Sequence, residues 1–302
     1  MTTQYAIEGN NITKNLKGFN LDIDDLKVPK GFATALIGEN GAGKTTLLNI
    51  LSGLRLDYKG DITFFGRYSD KEKEDNGNVK NRIGYTGTGK YYLPQWTVRD
   101  IENISKILFE DFSEDRFRKY CDELAIFPHG QLDMKKPNSS FSDGMKVKLM
   151  LAGVLSRDTD MLILDEPASP LDPLMRDKLC QLISEYINNG NGEKSVFFST
   201  HNISDMENIT DYAIIMENGQ IVEQGFVEDL KEKYIVIKGD AADTQKAKDI
   251  LYTITTNPYG FEGICLSENL DKLAGLNVTK EIPTLYQISV AVMKNNTKIV
   301  MR

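Results

Sequence analysis

The sequence predicts an α/β domain with buried central strands, followed by a small separate α/β module. Three observations carry that prediction. The stretches FATALIG (Phe32–Gly38), MLILD (Met161–Asp165) and SVFFST (Ser195–Thr200) are continuous apolar runs, the pattern of strands covered on both faces. Glycine-rich turns and helical patterns alternate with them over the first two-thirds of the chain. Near residue 233 the pattern changes to shorter elements, which places a boundary between 1–233 and 234–302.

The elements follow in order. GENGAGKTT (Gly38–Thr46) leaves the first buried strand and enters an apolar helix, LLNILSGL. DKEKEDNGNVKNR (Asp70–Arg82) reads as a charged, solvated loop. FSDGMK (Phe141–Lys146) begins a helix that continues through LMLAGVL, with Ser142 or Asp143 able to cap it. Such a helix start is either an ordinary cap or an altered phosphate site, because free N–H groups attract anions whereas an aspartate among them repels anions. In DYAIIMENGQIVEQG the pair Asn218-Gly219 marks a tight antiparallel hairpin closing the first domain. YIVIKGD, a helical AADTQKAKDILYTI, GFEGICLSE and a final TLYQISVAVMK then read as the small separate α/β module.

Composition narrows the chemistry. The 302 residues are 40% hydrophobic, enough for a real core. A net charge of −8 argues against a general nucleic-acid binder. Cys121, Cys180 and Cys265, odd in number and far apart, fit neither a disulfide framework nor a zinc site and suit a reducing cytoplasm. No apolar run approaches the ~20 residues of a membrane span, and the N-terminus lacks a signal-peptide pattern.

GENGAGKTT matches G-x-x-x-x-G-K-[ST] in the strand-to-helix context that a phosphate-binding loop requires. Backbone N–H groups from Gly38, Glu39, Asn40, Gly41, Ala42, Gly43 and Thr46 would cradle phosphate oxygens, with Gly41 and Gly43 letting the chain curl. Lys44 adds a charge toward the β- and γ-phosphates, and Thr45 can ligate Mg²⁺. At the end of MLILDEP, Asp165 is positioned to hold Mg²⁺ and Glu166 to polarise an attacking water.

With these motifs in place the chain resembles an ATP-binding cassette (ABC) ATPase from roughly residue 4 to residue 230. SPLD (Ser169–Asp172), ending in Asp172, is similar to the loop linking the two ATP sites of the family's dimers, and His201 in STH is similar to the histidine that contacts the γ-phosphate. FSDGM stands at the family's LSGGQ signature, which faces ATP on the opposite subunit; Ser142 and Gly144 match it, while Asp143 replaces a glycine and Met145 a glutamine. A carboxylate ~4 Å from a phosphate charge costs about 4 kcal/mol at an effective dielectric near 20, so whether Asp143 turns in or out matters. Thr88 stands where the Q-loop glutamine would be and offers Mg²⁺ or water a shorter hydroxyl; Gln95 lies too late. Leu16 aligns with the adenine-stacking aromatic, with Phe19 a substitute. His129, outside these motifs, reads as structural.

The resemblance implies a P-loop NTPase cassette: a RecA-like core, an antiparallel β subdomain and a helical subdomain at about 88–142. It implies ATP and Mg²⁺ as cofactors, a second ATPase subunit, and a separate membrane permease whose coupling helix would dock near Tyr91, Tyr92, Leu93 and Trp96. The subunit would then lie in the cytoplasm on the inner face of the membrane. In general layout it is most similar to ATPases of bacitracin-resistance and peptide-toxin exporters, including those of phenol-soluble modulins. Two other readings are a regulatory module with weak hydrolysis and a soluble mechanical ATPase of the same family. The tandem cassettes, coiled coils and basic arms typical of the latter are absent from this sequence.

Overall fold

The structure, a computed structural model, describes residues 4–87, 92–127 and 133–300. β1 (Tyr5–Leu16) and β2 (Phe19–Pro29) form a hairpin over the two-residue turn Lys17-Gly18. β3 (Ala33–Ile37) runs into the glycine loop and then α1 (Lys44–Leu51). β4 (Lys59–Phe64) returns beside β1, and with β5 (Tyr68–Ser69) completes an antiparallel sheet of order β2-β1-β4-β5.

The charged segment after β5 departs from the expected loop. It contains a helix, α2 (Lys73–Arg82), although DNGN is poor helix sequence. Val79, 5% exposed, seats this helix on the core beside β5 and the strand that follows it, while Lys80 and Arg82 fall in its last turn, where cations oppose the negative helix end. Tertiary docking through one apolar residue therefore overrides local propensity.

β6 (Ile83–Thr86) is followed by α3 (Val98–Leu108), whose start is closed by a capping box between Thr97 and Asp100. α4 (Glu114–Glu123) is capped by Ser113 and packs on α5 (Asp143–Leu155), capped by Ser142. β7 (Met161–Leu164), α6 (Pro173–Asn188) and β8 (Ser195–Thr200) continue the chain, and β9 (Tyr212–Glu217) and β10 (Gln220–Phe226) form the predicted hairpin. Its turn residues Asn218 and Gly219 have φ of 48° and 83°, the left-handed pair that a tight hairpin turn demands. The second sheet has order β10-β9-β3-β8-β7-β6 and is parallel except for that hairpin. β3, β7 and β8 are buried throughout, as unbroken apolar runs require.

α7 (Val227–Lys233) leads to β11 (Tyr234–Asp240). The long helix expected at 241–254 is reduced to one 3₁₀ turn and α8 (Thr244–Ala247), because Thr253–Ile254–Thr255–Thr256 are taken into β12 (Thr253–Asn257). β-branched residues pair better against a neighbouring strand than they pack in a helix, and β12 pairs with β13 (Gly260–Leu266). With β14 (Val278–Glu281) these form an antiparallel sheet of order β12-β13-β11-β14. α9 (Leu285–Val300) then turns back onto α7, β9 and β10, and its Leu285, Ile288, Ala291 and Val292 are buried in the same core as Ile203 and Met206. The segment TLYQISVAVMK thus packs on the β9–β10 hairpin as well as on β12 and β13. Among the described residues, no helix is long and apolar enough to cross a membrane.

Candidate nucleotide-binding site

The loop between β3 and α1 is shaped by its glycines. A Cβ at Gly38 would stand 2.4 Å from the Met216 carbonyl oxygen, so only glycine lets the loop leave the sheet there. Gly43, at φ 107°, has no room either, because the Phe19 ring lies against it. Lys44 is 6% exposed, and a buried ammonium needs partners. Its Nζ donates to the carbonyls of Gly38 (2.7 Å) and Glu39 (3.2 Å) and lies 3.4 Å from Glu166 Oε1.

The parallel register pairs Leu164 of β7 with Phe198 of β8, so the residues just beyond converge. Asp165 is buried, with Oδ2 accepting from Thr45 Oγ1 (2.9 Å) and Oδ1 from Ser199 Oγ (2.6 Å). Its N–H donates to the Thr86 carbonyl at 2.9 Å. Glu166 adopts the left-handed φ of 50°, with its N–H donating to Ser199 Oγ at 2.9 Å. Glu166 Oε2 meets His201 Nδ1 at 2.8 Å, while the buried Oε1 has no hydrogen-bond partner.

Lys44, Thr45, Asp165, Glu166 and His201 are therefore assembled into one site from three separate segments. Among the described residues no three His, Cys, Asp or Glu side chains gather as a metal cluster. The Thr45 hydroxyl and Asp165 carboxylate are hard oxygen donors of the type Mg²⁺ takes when phosphate and water complete its shell. A cleft of about 670 Å³ runs from Asn40–Thr46 to the β1–β2 hairpin tip, where both Leu16 and Phe19 line it. Phe19 also supports the loop through Gly43, so the tip serves loop and cleft together.

The start of α5 resolves its two alternatives in part. Ser142 Oγ accepts from the Met145 N–H at 3.3 Å, an ordinary cap. The Asp143 side chain points outward, 91% exposed, and pairs with Lys146 at 3.0 Å. Gly144 is held against the 169–172 loop, since a Cβ there would lie 2.8 Å from the Pro170 carbonyl oxygen. Asp172 caps α6 by accepting from the Met175 N–H at 3.1 Å. Asp143 and Lys146 share a cleft of about 680 Å³ with Glu166 and His201.

A groove of about 720 Å³ separates the core from α3 and α5, walled by Tyr92, Trp96, Leu54 and Leu108; Leu93 is exposed and off its wall. Thr88, Tyr91 and His129 lie outside the described residues. Sequence reasoning missed Ser199 and Lys146. Ser199 left one signal, a small polar residue near the end of an apolar strand and two positions before His201.

A model of the ABC transporter family matches residues 21–169. The bacitracin transport ATP-binding protein BcrA of Enterococcus faecalis is 29% identical over 83% of this chain and 79% of its own length. The energy-coupling factor transporter ATP-binding protein EcfA2 of Methanospirillum hungatei is 29% identical over 68% of this chain, which spans half of that protein's length. Among solved structures, cbiO1 of Clostridium perfringens, part of an ABC transporter complex, superposes with a TM-score of 0.60 at 24% identity over 75% of this chain and 90% of its own.

Proposed function

The chain belongs to the ABC transporter family of ATP-binding subunits, ATPases that work with ATP and Mg²⁺, and on that premise we propose that it hydrolyses ATP to power a separate membrane permease. One observation carries the chemistry. Glu166 is held between Lys44 and His201, beside the Thr45–Asp165 pair. The loop N–H groups and Lys44 bind the β- and γ-phosphates. Thr45 and Asp165 would hold Mg²⁺, which would supply charge neutralisation on the phosphates. Glu166 takes a proton from the attacking water at its carboxylate, and His201 orients that carboxylate and reaches toward the γ-phosphate. Ser142 and Gly144 meet the nucleotide of a second ATPase subunit, and the Ser169–Asp172 loop links the two sites.

The groove at Tyr92 and Trp96 receives a short helix of the permease, which keeps this subunit on the inner face of the membrane. The cargo is antimicrobial or amphipathic peptide, moved outward. Similarity to BcrA over most of both chains supports this reading, and the small antiparallel module after residue 233 is its accessory domain. The test is reconstitution of the chain with its partner permease in vesicles. Amphipathic peptide should stimulate Mg-ATP turnover and accumulate on the side opposite the ATPase. Turnover indifferent to peptides but responsive to metal ions or vitamins would replace the cargo and keep the ATPase.

A further inference from the structure

We propose that Ser199 is a positioning residue for hydrolysis, which locks the backbone of Glu166 and the carboxylate of Asp165 into one unit. The inference rests on the reading of Glu166 as the group that accepts the proton from water.

Ser199 is fully buried near the end of β8, and its single hydroxyl makes two bonds in opposite senses. Its proton goes to Asp165 Oδ1 at 2.6 Å, and its oxygen accepts the Glu166 N–H at 2.9 Å. The first bond fixes the plane of the Asp165 carboxylate, whose other oxygen is held by Thr45. The second secures a backbone that would otherwise relax, since Glu166 has φ of 50°, a conformation that side chains with a Cβ avoid. From that turn the Glu166 carboxylate reaches between Lys44 and His201.

Simple satisfaction of a buried hydroxyl does not explain the arrangement. On neighbouring β3 the Thr34 Oγ1 is equally buried and has no hydrogen-bond partner, so this core tolerates an unpaired hydroxyl. Neither hydrogen bond of the Ser199 hydroxyl goes to the glycine loop; both go to the two acids. Its loss should therefore reach the rate before it reaches nucleotide affinity.

The experiment compares Ser199→Ala, Ser199→Cys, Glu166→Gln and the double variant Ser199→Ala/Glu166→Gln in the full chain. ATP affinity is read by a fluorescent nucleotide and hydrolysis by single turnover with Mg-ATP. Leaving the Glu166 N–H and Asp165 Oδ1 unpaired should slow hydrolysis by about 10- to 100-fold in Ser199→Ala, with affinity changed by less than about threefold. Ser199→Cys, nearly isosteric but a weak donor, should fall between Ser199→Ala and the parent, and decides the matter if Ser199→Ala does not fold. The double variant should be no slower than Glu166→Gln alone, because residues acting as one unit are not additive. Parental rates in Ser199→Cys, affinity falling in step with rate, or a multiplied loss in the double variant would each overturn the proposal. Parental hydrolysis in Glu166→Gln would instead remove the reading beneath it.

Discussion

His201 Nδ1 lies 2.8 Å from Glu166 Oε2, joining the end of β8 to the residue that follows β7 and Asp165. The contact leaves Glu166 Oε1 buried and without a hydrogen bond, in an ion pair 3.4 Å from the ammonium of Lys44. One carboxylate is thus steered from both sides. Glu166→Gln should keep ATP affinity and lose turnover by about 10²- to 10⁴-fold, the usual worth of a general base. His201→Ala should lose rate more than affinity. Steady-state hydrolysis beside nucleotide titration checks both, and near-normal turnover in Glu166→Gln rejects the assignment.

Lys44 is expected to behave in the opposite way. Its buried ammonium is already held by two loop carbonyls and faces where phosphate charge would lie. Lys44→Ala should weaken ATP binding by about 1.5–3 kcal/mol, the range for hydrogen bonds to charged groups. Calorimetric titration with ATP measures it. An unchanged affinity would mean that the loop amides alone hold the phosphates.

At the start of α5, Asp143 turns out to Lys146, which offsets its charge without removing it. In a Glu166→Gln background, Asp143→Gly should strengthen ATP-dependent dimerisation and Lys146→Ala should weaken it. Ser142→Arg should abolish it while sparing nucleotide binding to the chain's own loop. Sedimentation with and without Mg-ATP reads the outcome. If none of the three variants shifts the association, the helix start is a cap and nothing more.

All three cysteines are buried, and burial pushes the thiols up, to about 12 for Cys121 and about 11 for Cys180. A raised thiol value means less thiolate, the reactive form, at any pH below it. Labelling by a disulfide reagent at pH 8 should therefore be slow in the native chain and become complete on unfolding in denaturant. Fast labelling of even one thiol in the native chain would contradict this packing.

α9 holds a different kind of dependence. Ile288 is fully buried against the core, and the Leu285 N–H donates to Glu207 Oε1 at 2.8 Å. Ile288→Ala should cost about 2–5 kcal/mol, the range for emptying a buried aliphatic site. A chain ending at residue 284 should melt lower still, although its nucleotide loop is untouched. Denaturant melts of the three proteins give the comparison, and equal stability would show that α9 is only a cover.

What the amino-acid order determined by itself was everything carried by neighbours along the chain. GENGAGKTT, MLILDEP, STH and the Asn218-Gly219 turn are each complete within about ten residues, because a strand end, a glycine turn and a helix start are local geometry. Their residues could therefore be read before any fold was known, and the buried strands followed from unbroken apolar runs. The tertiary structure decided what depends on residues far apart in sequence. Ser199 gains its role only because β7 and β8 lie in register, which brings it across 34 positions to Asp165. Asp143 turns outward to Lys146 on its own helix, while the glycine beside it is pinned by the Pro170 carbonyl of a loop beyond β7. The helix at Lys73–Arg82, the strand at Thr253–Asn257 and the return of α9 to the core reverse or extend local preference for the same reason. A few tenths of a kcal/mol per residue of propensity yield to the larger free energy of burying Val79, pairing β12 with β13, and covering Met206.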